Sequence, residues 1–294
     1  MFERIRNKYY LNLLRNSPYR PQKELIYRFN KYYICTLVRE SSDNHISAGS
    51  MDRDLNHAVA KAISEYIERL YNWTLAENEN QQAPYVNYDN TGFAAYPKLS
   101  CSSLKKARDR SLEDSTEKYC WPEFFHNHSI GYQLSEAGKS DPMLSDIPDT
   151  GVVKTQYIYP KVDGELHFCI CLGFVGKHGI IPGTACHANP DKAREDSFTE
   201  MIRKLLIAEN YLSGKLANNT EFSRRLIYLY QNGKSVYDHR LKFNGPETIH
   251  LPALKEDKLL AHPFDKDYVV YRTLFHGQQP YFNSDRNCSE IGYV

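Results

Sequence analysis

The sequence predicts a mixed α/β fold, and three observations lead to this prediction. Runs rich in β-branched and aromatic residues alternate with longer segments whose apolar residues recur at helical spacing. Three of the helical segments share one template: a small residue, a carboxylate seven positions later, and charged residues ten and eleven positions later. Short stretches of small residues separate strands from these helices. A chain of 294 residues with this alternation is expected to pack helices against sheets.

The composition restricts the classes of function. Lysine and arginine total 37 residues against 36 aspartates and glutamates, which argues against a nucleic-acid partner, because polyanion binding needs a basic surplus. The seven cysteines are odd in number and lack zinc-site spacing, so a secreted disulfide framework is not expected. No apolar run reaches 18 residues, and the first residues are charged. We therefore expect a cytoplasmic protein without a membrane span.

Two parts are predicted along the chain. Residues 1–30 form a basic, aromatic N-terminal segment, in which Pro18 and Pro21 would break any long helix. Residues 31–294 are predicted to form a single domain. It begins with a strand at 32–39, where YYICTLVR is rich in β-branched and aromatic residues.

The next segments predict a turn, a helix and a loop. Residues 41–50 are polar and end in Ser-Ala-Gly-Ser, which favours a turn. Asp54 or Asn56 then caps a helix that runs to about Tyr71 with an apolar stripe. Residues 77–90 are amide-rich and predict an exposed loop, and the small residues that follow at 91–95 are suited to a close ligand approach.

The second half of the chain continues the alternation. The pattern predicts a helix at 104–121 and a long surface insertion at 123–150. A hairpin of strands at 155–160 and 168–175 follows, and then a small-residue turn at 183–187. The last predicted elements are a helix from 189–191 to about 214, a helical stretch at 222–239 interrupted at Gly233, and a strand at 267–275.

The carboxylates of the shared helical template indicate a cation-binding site. On a helix, Glu65 and Glu68 share a face, as do Asp114 and Glu117. If the two helices pack together, four carboxylates converge, and such a group is unfavourable unless a hard cation neutralises it. Mg²⁺ completes its shell with water and substrate phosphates, so the pattern indicates Mg²⁺ with a nucleoside triphosphate. The alternative is that the carboxylates form ordinary solvated helix faces.

Other site types are less well supported. The turns lack the GxxxxGK[ST] spacing of a P-loop and the GxGxxG spacing of a dinucleotide fold. A Cys186–His187 nucleophile pair is disfavoured because adjacent residues rarely point in the same direction.

Four segments stand out, in order: SEYIER at 64–69, TGFAA at 91–95 with the DSTEK helix that follows, PGTACHANPDKAREDSFTE at 182–200, and DYVVYRTLFHGQQP at 267–280. In their order and spacing, from about residue 30 to 282, they resemble the segments of YcaO-domain proteins. The resemblance implies an α/β fold with mixed sheets and acidic helices around a nucleotide site that binds Mg²⁺ and ATP. Family members use ATP to activate a peptide backbone amide, which then yields azolines, thioamides or amidines.

The resemblance also implies roles for individual residues. Metal binding is implied for five carboxylates and nucleotide binding for six residues, with Glu68, Glu117 and Arg69 central to catalysis. The metal set is Glu65, Glu68, Asp114, Glu117 and Glu200, and the ATP set is Ser64, Arg69, Asn90, Lys118, Arg203 and Arg272.

Two functional alternatives remain open. The first is an enzyme that matures a ribosomally made peptide, acting on a precursor peptide or protein. The second is a degenerate subunit that binds peptide or a partner without ATP turnover, since Asp114 and Lys118 stand where the family has Glu and Arg. The N-terminal segment is too short for a winged-helix recruiting module, so a separate recruiting subunit is expected, and a homodimer is left open.

Overall fold

The computed structural model describes residues 2–40, 45–76, 92–98, 101–135, 143–147, 150–215, 221–261, 264 and 266–278. Helices and strands both contribute, so the predicted mixed α/β class is confirmed. The helices are α1 (Phe2–Arg15), α2 (Leu55–Ala76), α3 (Ser103–His126), α4 (Pro190–Leu212) and α5 (Glu221–Arg240), with a short 3₁₀ turn at Leu144–Asp146. The strands are β1 (Lys23–Phe29), β2 (Tyr32–Glu40), β3 (His45–Asp52), β4 (Gly92–Pro97), β5 (Tyr132–Ser135), β6 (Val152–Pro160), β7 (His167–Val175), β8 (Gly179–His187), β9 (Leu254–Leu260) and β10 (Tyr268–Phe275).

The chain divides into two compact units. Unit 1 comprises Met1–Tyr88, Phe93–Leu112 and Glu256–Thr273, and unit 2 comprises Asp89–Gly92, Glu113–Lys255 and Leu274–Val294. Each unit contains β-sheet and buried apolar residues. In the described part of the chain, no helix is long and apolar enough to cross a membrane.

Unit 1 packs α2 against an antiparallel sheet of order β1-β2-β3. The predicted helix is confirmed: Ala62, Ile63 and Tyr66 on its apolar stripe are fully buried. Asp54 caps it, because its Oδ1 accepts a hydrogen bond from the His57 N–H at 2.9 Å. The predicted strand at 32–39 is confirmed as β2. A second sheet, of order β4-β10-β9, contains the strand predicted at 267–275.

The turn predicted at 41–50 is wrong for the residues that the structure describes. Residues 45–52 form β3, which pairs with β2 from Tyr33–Asp52 to Glu40–His45. Small polar residues have low strand propensity, but tertiary pairing overrides such a weak preference. Ala48 is fully buried, and its small size suits a strand that packs closely against α2.

Unit 2 contains an antiparallel sheet of order β5-β6-β7-β8, with helices on both faces. Side chains alternate along a strand, so odd and even residues of β7 meet different helices. Cys169 accepts a hydrogen bond from Ser197 of α4 at 3.3 Å, whereas the Phe168 ring lies 6.4 Å from that of Trp121 of α3. The hairpin predicted at 155–175 is confirmed as β6 and β7, and Asn189 caps α4 as the pattern predicted.

Two further expectations for unit 2 are corrected. The small-residue turn at 183–187 is the end of β8, which pairs with β7 along its whole length. A side chain at Gly183 would place its Cβ 2.1 Å from the Ser197 carbonyl oxygen, so glycine permits close packing of strand and helix. Helix α5 continues through Gly233, where a Cβ would lie 2.9 Å from the Ile180 carbonyl oxygen.

The region predicted as a long insertion is partly regular. Helix α3 continues through Pro122 to His126, and β5 adds an edge strand to the sheet. The last turn of α3 is stabilised by the buried guanidinium of Arg240, which donates to the Phe124 carbonyl oxygen and lies 3.8 Å from the centre of the Phe124 ring. Arg240 also donates to the carbonyl oxygens of Phe243 at 2.7 Å and Ile130 at 3.4 Å. Burial lowers the pKa of Arg240 to about 10.

Candidate functional site

The first group of predicted site residues lies on α2 in unit 1. Glu65 accepts a hydrogen bond from the Gly49 N–H of β3 at 3.0 Å, and its other oxygen lies 2.5 Å from Arg69 Nη2. Arg69 also donates to the carbonyl oxygen of Ser47 on β3. Charge-assisted hydrogen bonds therefore fix this carboxylate and this guanidinium against the strand that the sequence had suggested as a turn. The neighbouring Ser64 is partly buried.

Glu68 makes a separate contact with β4. One of its carboxylate oxygens accepts a hydrogen bond from the Ala95 N–H at 2.8 Å. The small residues that the sequence marked for a close approach thus present a backbone donor to a predicted metal ligand. Asn90 and Thr91, which precede this strand, lie outside the described residues.

Arg272 is the predicted site residue on β10. Its Nε lies 3.1 Å from Glu256 Oε2, an electrostatic contact whose angles are not those of a hydrogen bond. Its guanidinium also lies 5.5 Å from the centre of the Phe93 ring. A planar cation between a carboxylate and an aromatic ring is held in one orientation, and Arg272 is suited by this to bind an anion.

Two carboxylate–cation pairs occur among the predicted residues of unit 2. On α3, Lys118 Nζ lies 2.9 Å from Asp114 Oδ2, and on α4 Arg203 Nη1 lies 2.9 Å from Glu200 Oε2. Both pairs join residues three or four positions apart on one helix, as does Glu65–Arg69 in unit 1. Each of these three carboxylates therefore has a cation one helical turn further along the chain.

Glu117 is a predicted ligand whose pKa is shifted by its surroundings. It accepts a hydrogen bond from Thr184 Oγ1 at 2.6 Å. Burial, followed by the charges of Asp114 and Glu200, raises the pKa of Glu117 to about 7, although Thr184 and Lys204 act in the opposite direction. The residue as a whole is partly buried. Glu117 is thus a carboxyl group whose neighbours resist its ionisation and whose charge a cation would stabilise.

Lys204 is a residue that the sequence analysis did not assign to the site. Its side chain is almost entirely buried, and burial lowers its pKa although Glu200 and Glu117 favour the charged form. A signal for it exists in the sequence, because Lys204 stands at the same template position as Arg69 and Lys118, eleven residues after the small residue. This position carries a cation in all three helices.

Other candidate groups give less support for chemistry. Cys186 is buried, which does not favour the Cys186–His187 nucleophile pair. His187 Nδ1 accepts a hydrogen bond from the Asn189 N–H at 2.8 Å, and its Nε2 lies 3.7 Å from Glu113 Oε1. Among the described residues, no group of three or more histidine, cysteine, aspartate or glutamate side chains is arranged to hold a metal ion.

The chemistry of the donor set nevertheless suits a hard cation and a polyanion. The predicted ligands are carboxylates, whose oxygens are the donors that Mg²⁺ prefers. The repulsion that raises the pKa of Glu117 is the kind that a bound cation relieves. Each unit also supplies guanidinium or ammonium groups next to its carboxylates, and such groups bind phosphate.

Comparison with known proteins shows a YcaO-like fold. No family model matches the sequence, and no curated protein matches it. The structure is similar to that of YcaO from Methanopyrus kandleri bound with AMPPCP and Mg²⁺, with a TM-score of 0.64 and 12% identity over 95% of this chain and 91% of that chain. It is also similar to a chain of the E. coli microcin synthetase McbBCD complex, with a TM-score of 0.58 and 12% identity over 95% of this chain and 97% of that chain. For the same complex with pro-MccB17 bound, the TM-score is 0.60 and the identity 11% over the same shares.

Proposed function

We propose that this chain is an ATP- and Mg²⁺-dependent enzyme that modifies a peptide backbone amide during maturation of a ribosomally made peptide. The observation that carries the proposal is the fold similarity over 95% of the chain to a YcaO bound with AMPPCP and Mg²⁺. The similarity to microcin synthetase supports a peptide substrate and a partner subunit that recruits it. Azoline formation, thioamidation and amidine formation are all compatible with the proposal.

The proposal assigns the metal ion to carboxylates and the nucleotide to cations and polar groups. Bound together, Mg²⁺ and ATP would supply a phosphoryl group that makes the amide oxygen a good leaving group. The carboxylates proposed to bind metal are Glu65, Glu68, Asp114, Glu117 and Glu200. The nucleotide would be bound by Ser64, Arg69, Asn90, Lys118, Arg203 and Arg272.

The residues of this chain would mainly bind the nucleotide and the metal ion, orient them, and neutralise the charge of the phosphates. Arg69 and Lys118 would neutralise phosphate oxygens, and Arg69 would do so in a fixed orientation because Glu65 and the Ser47 carbonyl oxygen hold its guanidinium. The Ala95 N–H would keep the carboxylate of Glu68, a proposed metal ligand, in position. The Thr184 hydroxyl would do the same for Glu117. Such polar supports are typical of metal ligands.

The alternative function, a binding subunit without turnover, is favoured by a specific observation. Three of the five proposed metal ligands already have a cation within 2.5 to 2.9 Å. These internal cations already neutralise the carboxylates, so the pairs do not need a metal ion to be stable. A degenerate subunit would retain them permanently and use the same surface for peptide or protein.

Binding and turnover distinguish the two functions. The purified chain is heated with Mg²⁺ alone, ATP alone and Mg²⁺–ATP, and we expect a rise in melting temperature only with the combination. Release of ADP is then measured with candidate peptides, together with a peptide mass loss of about 18 Da for ring closure or a gain of about 16 Da for thioamidation. A melting temperature that Mg²⁺–ATP leaves unchanged would refute the enzyme function. The variant Glu195→Gln, which removes a carboxylate of α4 outside the proposed metal set, serves as the control.

A further inference from the structure

Lys204 is a buried cation on α4, in the part of this helix that packs against β8. Its exposed fraction is only 7%, and it lies three residues after Met201. The helix approaches the strand so closely that a Cβ at Gly183 would lie 2.2 Å from the Met201 nitrogen. A lysine is rarely buried unless its charge is paired. The burial of Lys204 therefore indicates negative charge within reach of its ammonium group.

Two carboxylates supply this negative charge. Glu200 precedes Lys204 by four residues, a spacing that makes a carboxylate and an ammonium neighbours on one helix. Glu117 of α3 is held at β8 by Thr184 Oγ1 at 2.6 Å, and Thr184 is the next residue along the strand from Gly183, which touches α4. Because β8 is the last strand in the order of its sheet, side chains from its two faces can meet beyond its edge.

The charges of these three side chains act on one another. Burial lowers the pKa of Lys204, while Glu200 and Glu117 favour its charged form. Burial raises the pKa of Glu117, while Lys204 favours its ionised form. The ammonium and the two carboxylates therefore form one electrostatic cluster inside unit 2.

The proposed metal ligands of unit 2 are matched in charge without a metal ion. The two carboxylate–cation pairs described above, one on α3 and one on α4, have N–O distances of 2.9 Å and are each neutral. Glu117 is the remaining proposed ligand of the unit, and the hydroxyl group that bonds to it carries no charge. Lys204 supplies the third positive charge, so three carboxylates are matched by three cations.

We propose that Lys204 is a built-in counter-ion of Glu117 and Glu200 that lowers the affinity of their carboxylates for a divalent cation. An ammonium and a metal ion compete for the same negative charge, so a cluster that is already neutral attracts Mg²⁺ weakly. Phosphate oxygens add negative charge, and Mg²⁺ then binds together with the nucleotide. This inference extends the proposed function, because it makes the binding of Mg²⁺ depend on ATP, but its tests contain no ATP.

The first measurement is the coupling between Lys204 and Glu117 in the ligand-free protein. Lys204→Met keeps an unbranched side chain and removes the positive charge, and Glu117→Gln removes the negative charge. Melting temperatures are compared for the unmodified protein, both single variants and the double variant. We expect the change in melting temperature caused by Lys204→Met to be less favourable, by about 3 °C or more, when Glu117 is present than beside Glu117→Gln.

The second measurement is the response to Mg²⁺ alone. At about 5 mM Mg²⁺ we expect a change of less than about 1 °C in the melting temperature of the unmodified protein. We expect a rise of about 2 °C or more for Lys204→Met, because its carboxylates lack their internal cation, and EDTA should reverse the rise. The double variant should respond less than Lys204→Met, since one of the two carboxylates is absent.

Lys192→Met is the matched control. Lys192 lies on the same helix and is paired with Glu195 and Asp196 at 3.0 and 3.1 Å, and its side chain is partly exposed. We expect this variant to show neither coupling to Glu117→Gln nor a response to Mg²⁺. A response equal to that of Lys204→Met would mean that the loss of any lysine of α4 promotes Mg²⁺ binding, which contradicts the proposal.

The remaining outcomes also decide the question. Absence of coupling between Lys204 and Glu117, or equal responses of Lys204→Met and the unmodified protein to Mg²⁺, would overturn the proposal. If Lys204→Met does not fold, Lys204→Gln takes its place in the same comparisons, and failure of both variants even beside Glu117→Gln would show that Lys204 serves packing alone. Coupling and a Mg²⁺ response without any ATP turnover would count against the proposed enzyme and leave the role of Lys204 in place.

Discussion

Replacement of Glu117 by glutamine is expected to stabilise the ligand-free protein and to abolish its proposed activity. Glutamine retains a carbonyl oxygen that can accept the hydrogen bond from Thr184, so the local geometry is preserved. What it loses is a negative charge that burial, Asp114 and Glu200 all oppose. Residues that destabilise the free protein in this way are common at functional sites, where stability and activity conflict.

The magnitude follows from the pKa of this carboxyl group. It is raised from an ordinary value of 4.5 to about 7, so the folded protein keeps a proton that the unfolded chain releases between these two pH values. Stability therefore falls as the pH rises through this window. At 1.36 kcal/mol per pKa unit, the loss amounts to about 3 kcal/mol at pH 8. Glu117→Gln is neutral throughout, so it should exceed the unmodified protein in stability by about 3 kcal/mol at pH 8 and by little near pH 4.5.

Urea unfolding at half-unit steps between pH 5 and pH 8 measures this difference directly. The control is Glu195→Gln, which removes a half-exposed carboxylate of α4 and is expected to change the unfolding free energy by less than about 1 kcal/mol at pH 8. With Mg²⁺–ATP present, the order should reverse, because the unmodified protein gains stability from ligand binding and the variant gains less. A difference that stays constant with pH, or a variant less stable at pH 8, would contradict the electrostatic explanation of Glu117.

Three further outcomes are expected. Glu68→Gln can keep its hydrogen bond from the Ala95 N–H, so we expect an unchanged melting temperature. We expect at least a 100-fold loss of ATP turnover in a coupled ADP assay, and full turnover would show that Glu68 is not a metal ligand. Gly183→Ala places a Cβ 2.2 Å from the Met201 nitrogen and should destabilise unit 2 by about 3 kcal/mol or more in urea unfolding. A loss of less than about 1 kcal/mol of unfolding free energy would show that α4 can shift away from the strand. In Arg240, three different nitrogens each face a different carbonyl oxygen, and the single ammonium nitrogen of a lysine cannot reach all three. Arg240→Lys should therefore cost about 2–3 kcal/mol of unfolding free energy, whereas a neutral result would mean that water replaces the lost donors.

The parts of the fold that could be predicted are those whose pattern is local. Helix α2 follows from its apolar stripe and its Asp54 cap, and α4 follows from its Asn189 cap. The carboxylate–cation pairs also follow from the sequence, because residues three and four apart on a helix are neighbours whatever the rest of the chain does. Likewise, the hairpin of β6 and β7 needs only two apolar runs and a short turn.

The parts that could not be predicted depend on contacts between distant segments. Strands β3 and β8 contain the small residues and glycines that usually indicate turns, and only their pairing with β2 and β7 makes them strands. The Thr184–Glu117 hydrogen bond joins residues 67 positions apart, so no local pattern reports it. Lys204 had a sequence signal, its template position, but burial is what distinguishes it from an ordinary surface lysine.

The alternation of side chains in β8 has a consequence for how this protein can change over evolutionary time. Gly183 faces α4 closely enough to touch its backbone, while the next residue, Thr184, bonds to Glu117 of α3. Substitutions at these two adjacent residues therefore affect different helices. A change at Gly183 affects the packing of α4, and a change at Thr184 affects the ionisation of Glu117 on α3. Compensating changes for the first are expected in α4, and for the second in α3, so adjacent positions of one strand can vary independently.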